Sequence, residues 1–215
     1  MPPIVTVIGN SNSGKTALIE KLVRELKSRG YRVATIKHIP QEINFDEAGK
    51  DSGRHIQAGS EATVISSPDK ILMIKPTSQD ASLDERAYLL GDNYDIFLAE
   101  GFKQGNTPKI EVHRKDNGPP LRDMKRLIAI VTDEPLETKA RQFSPDDIKD
   151  IADLLEKGFI KLQTERISLY INNTPITLTA FPRQIINNVL LSMASCLKGV
   201  GEIRSLQVSL KKGRG

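Results

Sequence analysis

One cysteine in 215 residues, Cys196, has nothing to pair with inside the chain. That excludes an intrachain disulfide and any zinc or iron–sulfur site built from several cysteines of one chain. Histidine is nearly as scarce, and His38, His55 and His113 are too scattered to suggest a metal-binding cluster. No apolar stretch approaches the roughly 20 residues that span a bilayer. The N-terminus has no basic segment leading into a cleavable apolar core, so no secretory signal is read there. A reducing, cytoplasmic setting is the expectation, with no membrane partner. No Asn-Lys-x-Asp signature for guanine is present. Internal repeats and low-complexity tracts are absent too.

What is present describes a globular protein, with 38% hydrophobic and 27% charged residues. The length allows one sizeable domain plus a small second one. The net charge of +4 is uneven: residues 161–215 carry +6, leaving −2 on residues 1–160. These basic residues are dispersed rather than gathered into an aromatic-lined stripe. Nucleic acid is therefore not an expected partner, and a solvated basic face is.

The strongest signal is Gly9-Asn10-Ser11-Asn12-Ser13-Gly14-Lys15-Thr16. It follows the apolar run Ile4–Ile8 and opens a run in which Leu18, Leu22 and Leu26 recur every four residues. Strand, glycine loop and helix in this order match the phosphate-binding pattern G-x-x-x-x-G-K-[ST]. Successive backbone N–H groups turn inward around an anion, and the helix N-terminus adds unpaired donors. Gly9, Asn12, Ser13, Gly14, Lys15, Thr16 and Ala17 are the candidate nucleotide-binding residues. Lys15 can reach the terminal phosphates, and the Thr16 hydroxyl suits Mg²⁺.

The rest of the chain reads as α/β, a P-loop NTPase with a mainly parallel sheet flanked by helices. Strands are expected at residues 31–37, 94–99, 109–113 and 127–132, and a hairpin from residues 62–65 and 71–74. The capping box Ser82-Leu83-Asp84-Glu85 opens a helix that Gly91 closes. Ser144-Pro145 predicts another helix start, with proline at the first helical position and Gly158 at the end. Glu100 ends an apolar run where such proteins keep their Mg²⁺-associated carboxylate. Gly101 lets the chain turn away. Lys37 and His38, just past the second strand, point toward the nucleotide side. The polar segment after them carries Asp46, Glu47, Gly49, Asp51, Arg54 and His55 and lies where switch elements usually sit. Asp133 stands either beside the base or as a turn residue before Pro135. Residues 161–215 read as a small ββαβ unit, closing with a strand through Leu206, Val208 and Leu210. The domains are therefore expected at 1–160 and 161–215.

Several blocks together resemble the molybdopterin-guanine dinucleotide biosynthesis protein B family. They are the P-loop with its Leu18-Ile19-Glu20-Lys21-Leu22 helix, Ile36-Lys37-His38, Gly49-Lys50-Asp51-Ser52 with Arg54-His55 and Ala58-Gly59, Glu100-Gly101-Phe102-Lys103, and Pro108-Lys109-Ile110-Glu111-Val112. The match covers about residues 3–160, and residues 161–215 look like an extension found in some relatives. The resemblance implies a homodimeric GTP-binding protein, at most a slow GTPase. It would assist the molybdenum cofactor guanylyltransferase that joins GMP to molybdopterin. Thr16 would hold Mg²⁺, with Glu100 and Asp51 completing its shell through waters, and Lys37, His38, Arg54, Gly101 and Lys103 are further site candidates. GTP over ATP rests on the resemblance alone. Two other readings stay open. One is a small-molecule kinase or ATP-dependent ligase, for which Arg54 would be the lid arginine. The other is a metal-insertion chaperone GTPase.

Overall fold

A computed structural model describes residues 1–39, 50–77, 81–162, 167, 169–172, 174–176, 178–203, 206–210 and 212. Asp46, Glu47 and Gly49 of the polar segment lie outside the described residues, as does most of the basic tail beyond Leu210. By its internal contacts the chain divides into Met1–Thr164 and Glu165–Gly215.

In the first unit the glycine loop joins β1 (Ile4–Ile8) to α1 (Lys15–Ser28). The chain continues through β2 (Val33–Lys37), α2 (Lys50–Gln57), β3 (Thr63–Ser66), β4 (Ile71–Ile74), α3 (Leu83–Tyr88) and β5 (Ile96–Glu100). Then come β6 (Lys109–Val112), β7 (Leu127–Val131), β8 (Arg141–Phe143) and α4 (Ile148–Leu155). Six strands form one sheet in the order β2-β5-β1-β6-β7-β8, and all its pairings are parallel. β3 and β4 stand apart as an antiparallel hairpin.

Side-chain alternation along the strands feeds two cores. Val5, Val7, Ile96, Leu98, Ile110 and Val112 join Leu18, Ile19, Leu22 and Leu26 of α1 and Ile151 and Leu155 of α4. On the other face, Ile4, Phe97 and Ala99 meet Leu83 and Ala87 of α3. Leu22 and Leu26 are fully buried; truncating either to Ala costs about 2–5 kcal/mol. The Ser82 capping box forms with both of its hydrogen bonds.

One strand was not expected, and two local expectations are corrected. β8 has only Phe143 buried, so its sequence carries almost no alternating signal. The helix after it starts three residues later than the proline implied: Asp147 is its N-cap, and the Asp147 carboxylate accepts from the Ser144 N–H at 2.7 Å. Gly158 does not end the helix but lies within a π-helical turn, Glu156–Ile160. Glu156 explains that continuation. It accepts from Arg29 at 2.7 Å and from the Tyr31 hydroxyl at 3.0 Å, and its backbone carbonyl takes the Lys161 N–H.

The second unit contains an antiparallel pair, β9 (Leu169–Ile171) and β10 (Thr174–Ile176), turning at Asn172 with φ +52°. α5 (Ala180–Ser195) follows. The strand expected through Leu206, Val208 and Leu210 is not formed, so the described residues make ββα rather than ββαβ. These side chains are 42%, 64% and 84% exposed. Alternation becomes a strand only where a sheet edge pairs with it.

Candidate functional site

The site is assembled at the C-terminal ends of β1, β5 and β6, where parallel sheets place their ligands. β1 lies between the other two, with Val7 opposite both Glu100 and Ile110. Gly9 leaves β1 at φ +148°, and a Cβ there would stand 2.4 Å from the Val112 carbonyl oxygen. Glycine is therefore required by both conformation and space. Asn12 adopts a left-handed φ of +60° and Gly14 one of +97°. Gly14 is the N-cap of α1; no side chain caps it, and the first turn holds no acid. That N-terminus is left open to an anion. The Asn10 amide ties the loop to the Asn117 carbonyl at 2.9 Å.

Lys15 folds back over the loop, donating to the carbonyls of Asn10 at 2.7 Å and Gly9 at 3.3 Å. Burial pushes its ammonium below the ordinary lysine range; Glu100 pulls it back, while Lys103 and Lys37 push it down further. Lys15 thus shares its surroundings with two further lysines and one carboxylate. The Thr16 hydroxyl donates to Glu100 Oε2 at 3.0 Å, and Lys37 Nζ lies 3.5 Å from Glu100 Oε1. Ala17 follows, exposed in the first turn of α1. Behind Glu100, Gly101 turns at φ +95° with its Cα face against His38. The His38 N–H donates to the Glu100 carbonyl at 3.0 Å, and its ring packs on Phe102 with centroids 4.9 Å apart.

Two buried atoms at this corner have no hydrogen-bond partner among the described residues, Ser13 Oγ and Arg114 Nη1. Buried polar groups normally find one. Such orphans beside an open helix N-terminus fit a phosphate. Thr16 and Glu100 supply paired hard oxygen donors, which fit Mg²⁺.

The remaining candidates have other bonding partners. Asp51 pairs with Arg54 at 3.6 Å within α2, and both are largely exposed. No hydrogen bond or ion pair joins them to the loop among the described residues. Asp133 accepts from the Lys115 N–H at 3.1 Å and lies 3.9 Å from Arg114 Nε. It also borders a cavity of about 300 Å³ with Thr132, Glu134, Pro135, Gln142, Phe143 and Ser144. His113 is buried and pairs with Glu134 at 2.9 Å. Among the described residues, no three of His, Cys, Asp and Glu gather as metal ligands. No described helix is long and apolar enough to cross a membrane. Sequence reasoning missed Arg114; its only signal was a basic residue just past a strand that pairs with β1.

The sheet and its flanking helices are those of the α/β P-loop NTPase fold. Residues 4–133 match the family model of molybdopterin guanine dinucleotide synthesis protein B, and the chain belongs to that family. It is 36% identical over 156 residues to the molybdopterin-guanine dinucleotide biosynthesis adapter protein of Haemophilus influenzae, covering 72% of this chain and 88% of the relative. The adapter protein of Escherichia coli is 29% identical, with 72% and 92% covered. A solved molybdopterin-guanine biosynthesis protein B superposes with a TM-score of 0.56 at 29% identity, covering 72% of this chain and 97% of its own. A homolog from Bacillus stearothermophilus gives 0.57 at 25% identity, covering 74% and 99%. The family match ends before Glu165–Gly215 begins.

Proposed function

We propose that this chain is a GTP- and Mg²⁺-binding adapter of molybdenum cofactor biosynthesis. In this reading it assists the guanylyltransferase that attaches GMP to molybdopterin, and it hydrolyses GTP slowly at most. The observation that carries the reading is the uncapped loop, with Thr16 Oγ1 3.0 Å from Glu100 Oε2 and Lys15 close by. Family membership supplies the pathway.

Backbone N–H groups from Ser13 to Ala17 bind phosphate oxygens, and Lys15 leaves the loop carbonyls for the terminal phosphates. Thr16 and Glu100 hold Mg²⁺, which when bound neutralises phosphate charge. Lys37 and Lys103 add positive potential, and His38 and Gly101 fix the turn behind Glu100. The base is assigned to the cavity beside Asp133.

A homodimer is part of the proposal. The β3–β4 hairpin supports it, with Val64, Ile71 and Met73 58%, 75% and 43% exposed. Apolar residues displayed together mark an interaction surface. The setting is the cytoplasm.

The test is equilibrium binding of GTP and ATP, with and without Mg²⁺, on wild type and Lys15→Ala. Mg²⁺-dependent GTP preference, lost by roughly 100-fold in the variant, is expected. ATP preference would favour the kinase or ligase reading. Wild-type affinity in Lys15→Ala would overturn the loop's role. Stimulation of a molybdenum cofactor guanylyltransferase by the purified chain tests the adapter role.

A further inference from the structure

Arg114 stands two residues past β6, on the side of β1 opposite Glu100. Its Nη2 lies 3.5 Å from where a Gly14 Cβ would be, so the guanidinium rests against the N-cap of α1. Its Nη1 is buried with no acceptor. Its one ion pair among the described residues is loose, Nε to Asp133 Oδ2 at 3.9 Å. The first Asp133 oxygen is already taken by the Lys115 N–H. The loop that carries Arg114 is itself fastened to the glycine loop. Asn10 donates to the Asn117 carbonyl at 2.9 Å, and Asn117 donates to the Ser11 carbonyl at 3.3 Å.

A guanidinium is always charged and presents its donors in a planar fork that matches phosphate oxygens. Here Nε leans on a carboxylate, Nη2 faces the Gly14 N-cap, and the buried Nη1 has no partner among the described residues. Ser13 Oγ of the glycine loop, in a residue 1% exposed, is a second orphan. Ser13 Oγ and the Val112 carbonyl of β6 both border the space a Gly9 Cβ would fill, whereas Lys37 and Thr16 contact Glu100 at the end of β5.

We infer that Arg114 is a phosphate-binding residue supplied by the β6–β7 connection. It contacts the polyphosphate of the bound nucleotide from the side opposite Glu100, with Asp133 positioning it. Asp133 then acts through this arginine, whatever it also contributes beside the base. This inference rests on the loop binding a nucleotide, and the test separates the two.

Full-length wild type, Arg114→Ala, Arg114→Lys and Lys15→Ala are titrated with a fluorescent GTP analogue and Mg²⁺. Inorganic tripolyphosphate is then used as competitor. A lost charge-assisted contact predicts that Arg114→Ala weakens both nucleotide and tripolyphosphate by about 10- to 100-fold. Arg114→Lys recovers part of both, and the salt dependence of binding flattens in the Ala variant. Nucleotide weakened with tripolyphosphate unchanged would overturn the inference, because the arginine would then serve the base side. Wild-type affinity in Arg114→Ala beside a loss in Lys15→Ala would overturn it and leave the loop reading standing. Wild-type affinity in both variants would overturn both. If Arg114→Ala lowers the melting temperature, Arg114→Lys carries the test, and unchanged tripolyphosphate affinity there with weakened nucleotide again rejects the inference.

Discussion

The phosphate corner and the α2–hairpin segment each hold part of the family's signature, and they are built in opposite ways. At the corner the framework hangs from strand ends in the middle of the sheet, and the first turn of α1 adds Lys15 and Thr16. Gly9, Glu100 and Arg114 follow or end β1, β5 and β6, whose residues are almost all buried. In the other segment Asp51 and Arg54 are largely exposed, and Val64, Ile71 and Met73 face outward. The corner is preorganised by the core, so it can be read as a site from one chain alone. The segment is a surface: its charged pair and its apolar side chains both face solvent in the single chain.

The sharpest way to break the corner is to attack its backbone. Gly9→Ala sets a Cβ 2.4 Å from the Val112 carbonyl at φ +148°, so β1 and β6 must part or the loop must re-form. A loss of about 3 kcal/mol is expected, seen as a melting temperature lower by roughly 10 °C in a thermal scan. Nucleotide binding should fall with it. An unchanged melting temperature would mean that the corner is softer than its packing implies.

Glu100→Gln leaves the shape and removes the charge. Mg²⁺-dependent binding of GTP should weaken about tenfold, while Mg²⁺-free binding stays level or improves. Equal losses with and without Mg²⁺ would move the metal away from the Thr16–Glu100 pair.

The corner also depends on the far end of α1. Arg29 bonds Glu25, Asp153 and Glu156, fastening α1 to α4. Lys157 and Arg29 draw the Asp153 carboxyl down from 3.8 to about 2. Lys161, Arg29 and Tyr31 draw Glu156 down from 4.5 to about 2. Because both are depressed in the folded state, their stabilisation is whole above about pH 4.5 and is lost as pH falls toward 2. Arg29→Ala should lower the melting temperature by several degrees at pH 7, and the gap should close near pH 2. A gap independent of pH would make Arg29 a packing residue rather than an electrostatic clamp.

Sequence periodicity and loop chemistry made the corner legible. Ile4–Ile8, the two glycines and the leucines of α1 encode strand, turn and helix locally. Glu100 could be placed because apolar strands in such sheets end at the ligand side. Arg114 was hidden, since nothing in its own neighbourhood separates it from other basic loop residues. Only the register that sets Val112 beside Gly9 brings it to the loop. β8 was hidden because a short edge strand with one buried side chain has no period to read. At the other extreme, Leu206, Val208 and Leu210 alternate correctly and still form no strand, because pairing is a property of the partner edge.

Asp51→Asn is the smallest effect and the most discriminating for the comparison. Its pair with Arg54 joins two largely exposed side chains one helical turn apart, worth little by itself. Stability and Mg²⁺-dependent GTP binding of the isolated chain should stay within about twofold of wild type. Stimulation of the guanylyltransferase is where a loss should appear if α2 meets the partner. A loss above tenfold in GTP binding by the isolated chain would instead mean that α2 reaches the loop once nucleotide arrives, and the two regions would then be one site.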